Sequence, residues 1–462
     1  MALLKKLLSR RRCYRLLIIL ISFVFVYLCI QLILFIRVSD KQLAGLNDRD
    51  HFKDQTLYEK INLRIFIDIC NYFKVKTSLI DPTILNNIVH GNQSRWQHCR
   101  FICTGETVTT VTVLETRLER KMITNLTLQG FSSIRPTVKS SDPQRFSLNP
   151  NAAPPAEIIT HYLFTRYSHT IHVVILYSRS NLFLWYSAVT DQDLRRSSLT
   201  TQQLKLGKYA GAINSFDRVS VSLDGLRLFV PRYPQYLLDN LRNSRFIECN
   251  YTRARQFYKR YPRDESQQAK QFRREASKLI HRGYEYLNQI EVAFWLSSGT
   301  CLGWFRQCDI IAHSKDVDFG IWIKNYKESL ILLFEGNSLP LTHKFGKVSD
   351  SFELSFREND VKLDIFFFYE EGGYMWNGGT QARTGKKFKY IFPNFTMCWT
   401  LFLNMKLRIP CETEAYIEAN YGRDWFIPVT QWDWKNSPPN VRENGEWSRE
   451  EWNDVIQIYP AQ

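Results

Sequence analysis

FWLSSGTCLGWFRQCDIIAHSKDVDFGIWI, from Phe294 to Ile323, is the stretch whose reading decides the fold. The apolar run Val292–Leu296 ends in Ser297-Ser298-Gly299-Thr300. An amphiphilic segment follows, and a second apolar run opens directly after Asp316-Val317-Asp318. The two runs read as buried strands and the segment between them as a helix. A strand-to-helix turn of this kind offers backbone N–H groups, hydroxyls and a helix N-terminus to a phosphate, although SSGT also serves as an ordinary helix cap. On a period-2 strand Asp316 and Asp318 share a face, about 7 Å apart. Two like charges so placed are either a solvated edge or the ligands of a shared cation. Oxygen ligands at that spacing suit Mg²⁺, with Mn²⁺ as the alternative.

A third carboxylate lies downstream in DVKLDIFFFYEE, from Asp360 to Glu371. Alternation puts Val361, Leu363, Ile365 and Phe367 on one face and Lys362, Asp364 and Phe366 on the other. An ionised Asp364 in so apolar a run is costly unless it is paired or metal-bound, so an ion pair with Lys362 stands beside the metal reading. The order of strand, Gly-containing turn, helix, DxD strand and later Asp strand is that of the nucleotidyltransferase superfamily. In that fold two adjacent strands bring the three carboxylates to one edge.

Outward from this core, residues 264–290 repeat apolar side chains at helical spacing, with Gly283 weakening the helix locally. A domain boundary is placed at Pro262–Asp264. Residues 55–262 read as an N-terminal α/β domain and 263–462 as an α/β catalytic domain with a mixed sheet. Within the first, IFIDICNYF and IHVVILYS are buried elements, and RVSVSLDGLRLFVP is a hairpin turning at Asp224-Gly225. Residues 139–157, rich in Ser, Pro and Asn, read as a loop. His169 and His172 face opposite sides of a strand, which argues against a metal shared between them.

The chain has 462 residues and a net charge of +16. Its first fifteen residues carry six basic side chains and no acid. Leu16–Ile36 is 21 residues without a charge, long enough to cross a bilayer and longer than the core of a cleaved signal peptide. The expectation is a cytoplasmic tail (1–15), a retained transmembrane anchor (16–36) and a short stem (37–54), with the remainder lumenal. The basic balance suits a phosphorylated or nucleotide partner. No nucleic-acid-binding signature accompanies it, so no nucleic acid is expected. Sequons at Asn92, Asn125, Asn250 and Asn394, and eight cysteines beyond residue 36, agree with an oxidising lumen. The cysteine pairing cannot be deduced from spacing.

GTCLGWFRQCDIIAHSKDVDFGI resembles the LicD family of phosphotransferases, whose members move a phospho-alcohol from a CDP-linked donor onto a glycan. FGKVSDSFELSF, MWNGGTQARTGKKFKY and WDWKNSPPNV resemble its fukutin-like branch. Many LicD relatives carry an extra acid beside the DxD, where this chain has Ser314-Lys315. The resemblance implies a Golgi type II membrane enzyme that moves ribitol 5-phosphate from CDP-ribitol, its donor, to an N-acetylgalactosamine. The acceptor it implies is the phosphorylated O-mannosyl glycan of α-dystroglycan, and the implied associates are fukutin-related protein and other O-mannosylation transferases.

The roles expected on that basis are these. Asp316 and Asp318 bind metal, and Asp364 completes the site or acts as base. Ser298, Gly299 and Thr300 cradle donor phosphate. Arg306 neutralises phosphate charge or pairs with a neighbouring acid. Arg383, Lys386, Lys387 and Lys389 form either a solvated basic loop or a contact to donor or phosphorylated acceptor, and Trp376 and Asn377 line the pocket. Two alternatives are a nucleotide-sugar glycosyltransferase using the same DxD and a non-catalytic Golgi scaffold.

Overall fold

A computed structural model describes residues 51–90, 102, 107–114, 118–132, 137–149, 151–195, 197 and 199–460. The expected tail, anchor and the stem up to residue 50 lie outside these, as do Asn92, Cys99 and Cys103. Among the described residues no helix is long and apolar enough to cross a membrane.

The architecture is mixed α/β around two sheets. The first comprises β1 (Thr77–Leu79), β2 (Val108–Leu114), β3 (Thr137–Ser141), β4 (Glu157–Arg166), β5 (His169–Arg179), β6 (Phe183–Tyr186) and β7 (Gly211–Ile213). Its order is β1-β2-β5-β4-β3, with β6 against β5 and β7 against β6. IFIDICNYF forms the end of the helix His51–Tyr72 and the residue after it; of its side chains Phe66 and Cys70 are buried, and the helix packs on β5. The expected hairpin is β8 (Arg218–Leu223) and β9 (Leu226–Pro231), with Asp224 and Gly225 both at positive φ as a type I′ turn requires. The stretch read as a loop over 139–157 is shorter than expected. Lys139–Ser141 completes β3 and Glu157 opens β4, because cross-strand pairing recruits residues whose own propensities are weak.

The second sheet contains β10 (Phe294–Leu296), β11 (Asp316–Trp322), β12 (Leu341–Lys347), β13 (Asp350–Glu358), β14 (Val361–Glu371), β15 (Tyr374–Thr380) and β16 (Lys386–Pro393). After a hairpin of β17 (Met397–Phe402) and β18 (Met405–Pro410) come β19 (Val441–Glu446) and β20 (Ile456–Ile458). β14 is central. It pairs antiparallel with β13 and β15, and parallel with β11, which also carries β10 on its other edge.

The helix expected over 264–290 runs from Gln267 to Gln289 and buries Ala276, Leu279, Ile280, Gly283 and Leu287. A β-carbon at Gly283 would fall 2.7 Å from Phe319 Cε2, so the residue that weakens the helix also lets it lie close on β11. Residues just before the expected boundary pack with this second core. Cys249 is disulfide-bonded to Cys308, and the Tyr251–Arg260 helix contacts the Ser298–Gln307 helix. A second disulfide, Cys398–Cys411, ties the start of β17 to the residue after β18. Cys70 and Cys301 are buried free thiols. The sequons at Asn125, Asn250 and Asn394 are all exposed.

Candidate active site

Strand register builds the acidic centre. In the parallel β11–β14 pair Asp318 stands opposite Asp364, and Asp316 opposite Lys362. The odd residues Val317, Phe319 and Ile321 of β11, and Leu363, Ile365 and Phe367 of β14, are buried in the core. The even residues face the opposite way, so Asp316, Asp318 and Asp364 converge. One oxygen from each lies within 4.8 Å of the others. Among the described residues this is the group able to hold a metal ion.

Each carboxylate is positioned by neighbours. Thr300 N donates to Asp318 Oδ2 at 3.2 Å, and Asp318 N donates to Thr300 Oγ1 at 2.8 Å. Ser314 Oγ donates to Asp316 Oδ1 at 2.6 Å, and Ser355 Oγ to Asp364 Oδ1 at 2.6 Å. Lys362 Nζ pairs with Asp364 Oδ2 at 2.8 Å. The ion pair weighed from sequence is therefore present within the acid cluster. Asp318 and Asp364 are 5% and 3% exposed, so the protein solvates them with only these few donors.

Burial, followed by the charges of Asp316 and Asp364, raises the Asp318 carboxyl well above the ordinary range. Burial also raises Asp364, against the lowering effect of Lys362 and Ser355. Lys362 is raised: its desolvation, which lowers it, is exceeded by the combined effect of the Asp364 charge and hydrogen bond with the charges of Glu353 and Asp316. Glu353, on β13 beside this cluster, is pushed up to about 8 by burial and by Asp364. A divalent cation would relieve this concentration of buried acid. Three carboxylates offering only hard oxygen donors fit Mg²⁺ or Mn²⁺.

The triad opens into a cavity of about 570 Å³. Ser298, Gly299 and Arg306 of the Ser298–Gln307 helix line it. Ser298 takes φ 39°, a left-handed conformation that costs a non-glycine residue on the order of 1–3 kcal/mol. A β-carbon on Gly299 would meet Asp318 Oδ2 at 3.3 Å, so a bare backbone is what fits beside the carboxylate. Thr300 is committed to Asp318 and does not reach the cavity wall. Arg306 is buried. It donates to Gln307 Oε1 at 2.8 Å and to the Trp425 carbonyl at 3.3 Å, and it pairs with no carboxylate among the described residues. Burial lowers its pKa to about 10.

Asn377 lines the cavity, whereas Trp376 turns away and stacks on Tyr369 at 4.3 Å. The basic residues of the glycine-containing loop are not brought to the triad. Lys386 lies 3.5 Å from Glu443, Lys387 pairs with Asp350 at 2.7 Å, and Lys389 with Glu371 at 2.5 Å. Arg383 is exposed in the turn before β16. Several wall residues escaped sequence reasoning: Glu353, Tyr390, Tyr421, Trp432 and Trp434. For Glu353 a signal existed. In FELSF, Glu353 and Ser355 make a polar stripe opposite the buried Phe352, Leu354 and Phe356.

Two family models match the chain: Fukutin N-terminal over residues 8–277, and LicD/FKTN/FKRP, nucleotidyltransferase domain, over 291–412. The second match contains all three aspartates. A human protein described as ribitol-5-phosphate transferase FKTN is 43% identical over 440 residues, covering 91% of this chain and 93% of its own length. The Mus musculus protein of the same description is 44% identical over 409 residues, 85% of this chain and 87% of its own. An uncharacterized Caenorhabditis elegans protein is 28% identical over 40% of this chain and 51% of its own length. With a family model spanning more than half its length and a 43% identical relative matched nearly end to end, the chain belongs to the fukutin family.

Proposed function

We propose that this protein transfers ribitol 5-phosphate from CDP-ribitol to the N-acetylgalactosamine of a phosphorylated O-mannosyl glycan, with release of CMP. The observation that carries the reading is the parallel register that sets Asp318 opposite Asp364 with Asp316 beside them, on a chain 43% identical to a ribitol-5-phosphate transferase. Asp316, Asp318 and Asp364 would hold Mg²⁺ or Mn²⁺, which when bound supplies positive charge to the diphosphate and the departing CMP.

The chain's own residues supply the rest. Ser298 and Gly299 present hydroxyl and backbone at the cavity wall where the helix begins, a position suited to the diphosphate. Asp364, with its proton affinity raised by burial, takes the proton of the acceptor hydroxyl as its oxygen attacks the phosphorus that carries ribitol. The bond from that phosphorus to CMP breaks, and CMP leaves with the electron pair. Lys362 then balances the charge on the remaining carboxylates. The buried wall excludes water, which favours transfer over hydrolysis.

The acceptor would be carried on α-dystroglycan in the Golgi lumen, with the 16–36 segment as a type II anchor and fukutin-related protein among the neighbouring enzymes. Composition and sequons support that placement.

The test is turnover of CDP-ribitol by the purified full-length chain with an N-acetylgalactosamine-ended acceptor, followed as CMP release. Asp316→Asn, Asp318→Asn and Asp364→Asn should each lower the rate by at least about 100-fold, as loss of charge stabilisation at the reacting phosphorus does. The wild type should gain thermal stability with Mn²⁺, and Asp318→Asn should not. Turnover of UDP-sugars alone would select the glycosyltransferase alternative, and full restoration of glycan assembly in null cells by the Asp316→Asn, Asp318→Asn double variant would leave the scaffold.

A further inference from the structure

The cavity changes character between floor and mouth. Asp318, Asp364, Arg306, Asn377 and Phe392 are all less than a tenth exposed. At the mouth, the segment 422–440 joins the Thr413–Tyr421 helix to β19 largely without regular secondary structure. There Ile427, Val429, Trp432 and Trp434 are 45%, 51%, 40% and 39% exposed, and all four line the cavity. So much large apolar surface in one short segment marks an interaction site.

The segment is held in place. Asp433 Oδ1 accepts from Lys435 N at 3.0 Å, and Oδ2 from Asn436 Nδ2 at 2.7 Å; Asp433 N donates to Ser437 Oγ at 3.0 Å. Tyr390 OH donates to the Trp434 carbonyl at 2.9 Å. The Trp432 ring packs on Tyr421 at 5.0 Å, and Trp434 meets Phe388 edge-on at 5.3 Å. Two indoles, two residues apart, are thus anchored and still partly open to solvent at the mouth.

We infer that Trp432 and Trp434 form the acceptor subsite, a stacking platform for the terminal pyranose of the glycan that receives the phospho-alcohol. The inference rests on the transferase reading above. Three observations select a saccharide. The first is size. A cavity of about 570 Å³ encloses a small donor, whereas a sugar at the end of a protein-borne glycan reaches the triad only through the mouth. The second is chemistry. A pyranose has an apolar C–H face for an indole and a rim of hydroxyls, for which Asn420, Asp424 and Thr430 also line the cavity. The third is charge. From Asp424 to Pro438 no cavity-lining residue is basic, and Lys435, 6.0 Å from the Trp434 ring, is not part of the cavity wall, which suits a neutral sugar better than a diphosphate.

The experiment uses the full-length chain with Trp432→Ala, Trp434→Ala, the double alanine variant and a double phenylalanine variant, after thermal melts have verified folding. Steady-state kinetics are measured with CDP-ribitol and an N-acetylgalactosamine-ended oligosaccharide. Each alanine should raise the acceptor KM about fivefold to tenfold, the double variant more, and the phenylalanine pair should recover most of the loss. The CDP-ribitol KM should stay within about twofold, because the indoles lie outside the buried floor. A rise in donor KM with an unchanged acceptor KM would assign the indoles to the cytosine ring and overturn the proposal, as would no change in either.

Calorimetric titration of the same oligosaccharide without donor keeps this outcome separate from that of the transferase reading. The wild type should bind it and the double alanine variant should bind it at least about tenfold more weakly, whatever donor the enzyme uses. Equal affinity, or no binding by the wild type, overturns the platform.

Discussion

Lys362 and Asp364 carry the decisive energetics of the site. Their ion pair, at 2.8 Å, compensates one carboxylate of a cluster that holds three, with Glu353 adding a fourth acid kept protonated near neutral pH. A single lysine leaves the cluster short of positive charge, and a divalent cation would make up the difference. Lys362→Met should therefore destabilise the metal-free protein by about 3 kcal/mol, since it leaves a buried carboxylate unpaired. In saturating Mg²⁺ the loss should be clearly smaller. Urea unfolding in EDTA and in Mg²⁺ measures both, and equal losses would show that no cation shares this charge. The sequence exposed the pair by alternation alone, as it did the two aspartates of the DxD. It did not expose Thr300 and Ser355 as the residues that hold Asp318 and Asp364, because those contacts join separate elements; the Ser314 contact to Asp316 is local, two residues away, and was missed although it lies within Phe294–Ile323.

At the scale of elements, the Gln267–Gln289 helix shows how a locally unfavourable residue serves a tertiary purpose. Gly283 costs about 1 kcal/mol in helix propensity relative to alanine. Its missing side chain admits Phe319, the residue next to Asp318, with Leu363 close by on β14. Gly283→Ala gains the propensity but forces a methyl against Phe319, and overpacking of this kind costs about 1–3 kcal/mol. A net loss of about 1 kcal/mol is expected by denaturant titration, together with a weaker Mn²⁺ requirement curve as β11 shifts; a more stable variant would mean that the helix stands off the sheet. The periodicity of this helix and the alternation of β14 were legible because each follows from a local period. The extent of β3 was not, since it forms through its pairing with β4 in spite of its Ser-rich composition.

Across the whole molecule, the N-terminal unit carries a pH dependence that the catalytic unit does not dictate. His161 and His172 share a hydrogen bond of 3.0 Å inside the sheet, and His169 meets Thr109 Oγ1 at 2.9 Å. Burial lowers His161 to about 4, His169 to about 3 and His172 well below its ordinary value. The unfolded chain takes up these protons near pH 6.5 and the folded chain does not, so their contribution is complete above 6.5 and is lost as pH falls towards 4. Buried Asp81, raised to about 6, acts in the opposite sense: it disfavours the fold as pH rises from about 4 to 6 and partly masks the histidines. The histidines should therefore lower unfolding free energy between pH 6.5 and 5, against Asp81 and against the raised acids Glu353, Asp318 and Asp364 of the other sheet, so Asp81→Asn should shift the profile towards a steeper fall. The same profile for His161→Gln and for the wild type would mean that burial does not hold this histidine unprotonated in the folded protein.

The sequence by itself determined the strands and helix around Phe294–Ile323, the faces of β14, the type I′ hairpin and the three aspartates, because each is written in a short-range period or turn preference. Only the tertiary structure decided that Asp318 stands opposite Asp364, that Lys386 and Lys387 pair with acids away from the triad, and that Trp432 and Trp434 edge the cavity. Those outcomes depend on strand register and on contacts between segments far apart in the chain, where packing of the whole core, not local preference, sets which side chains meet.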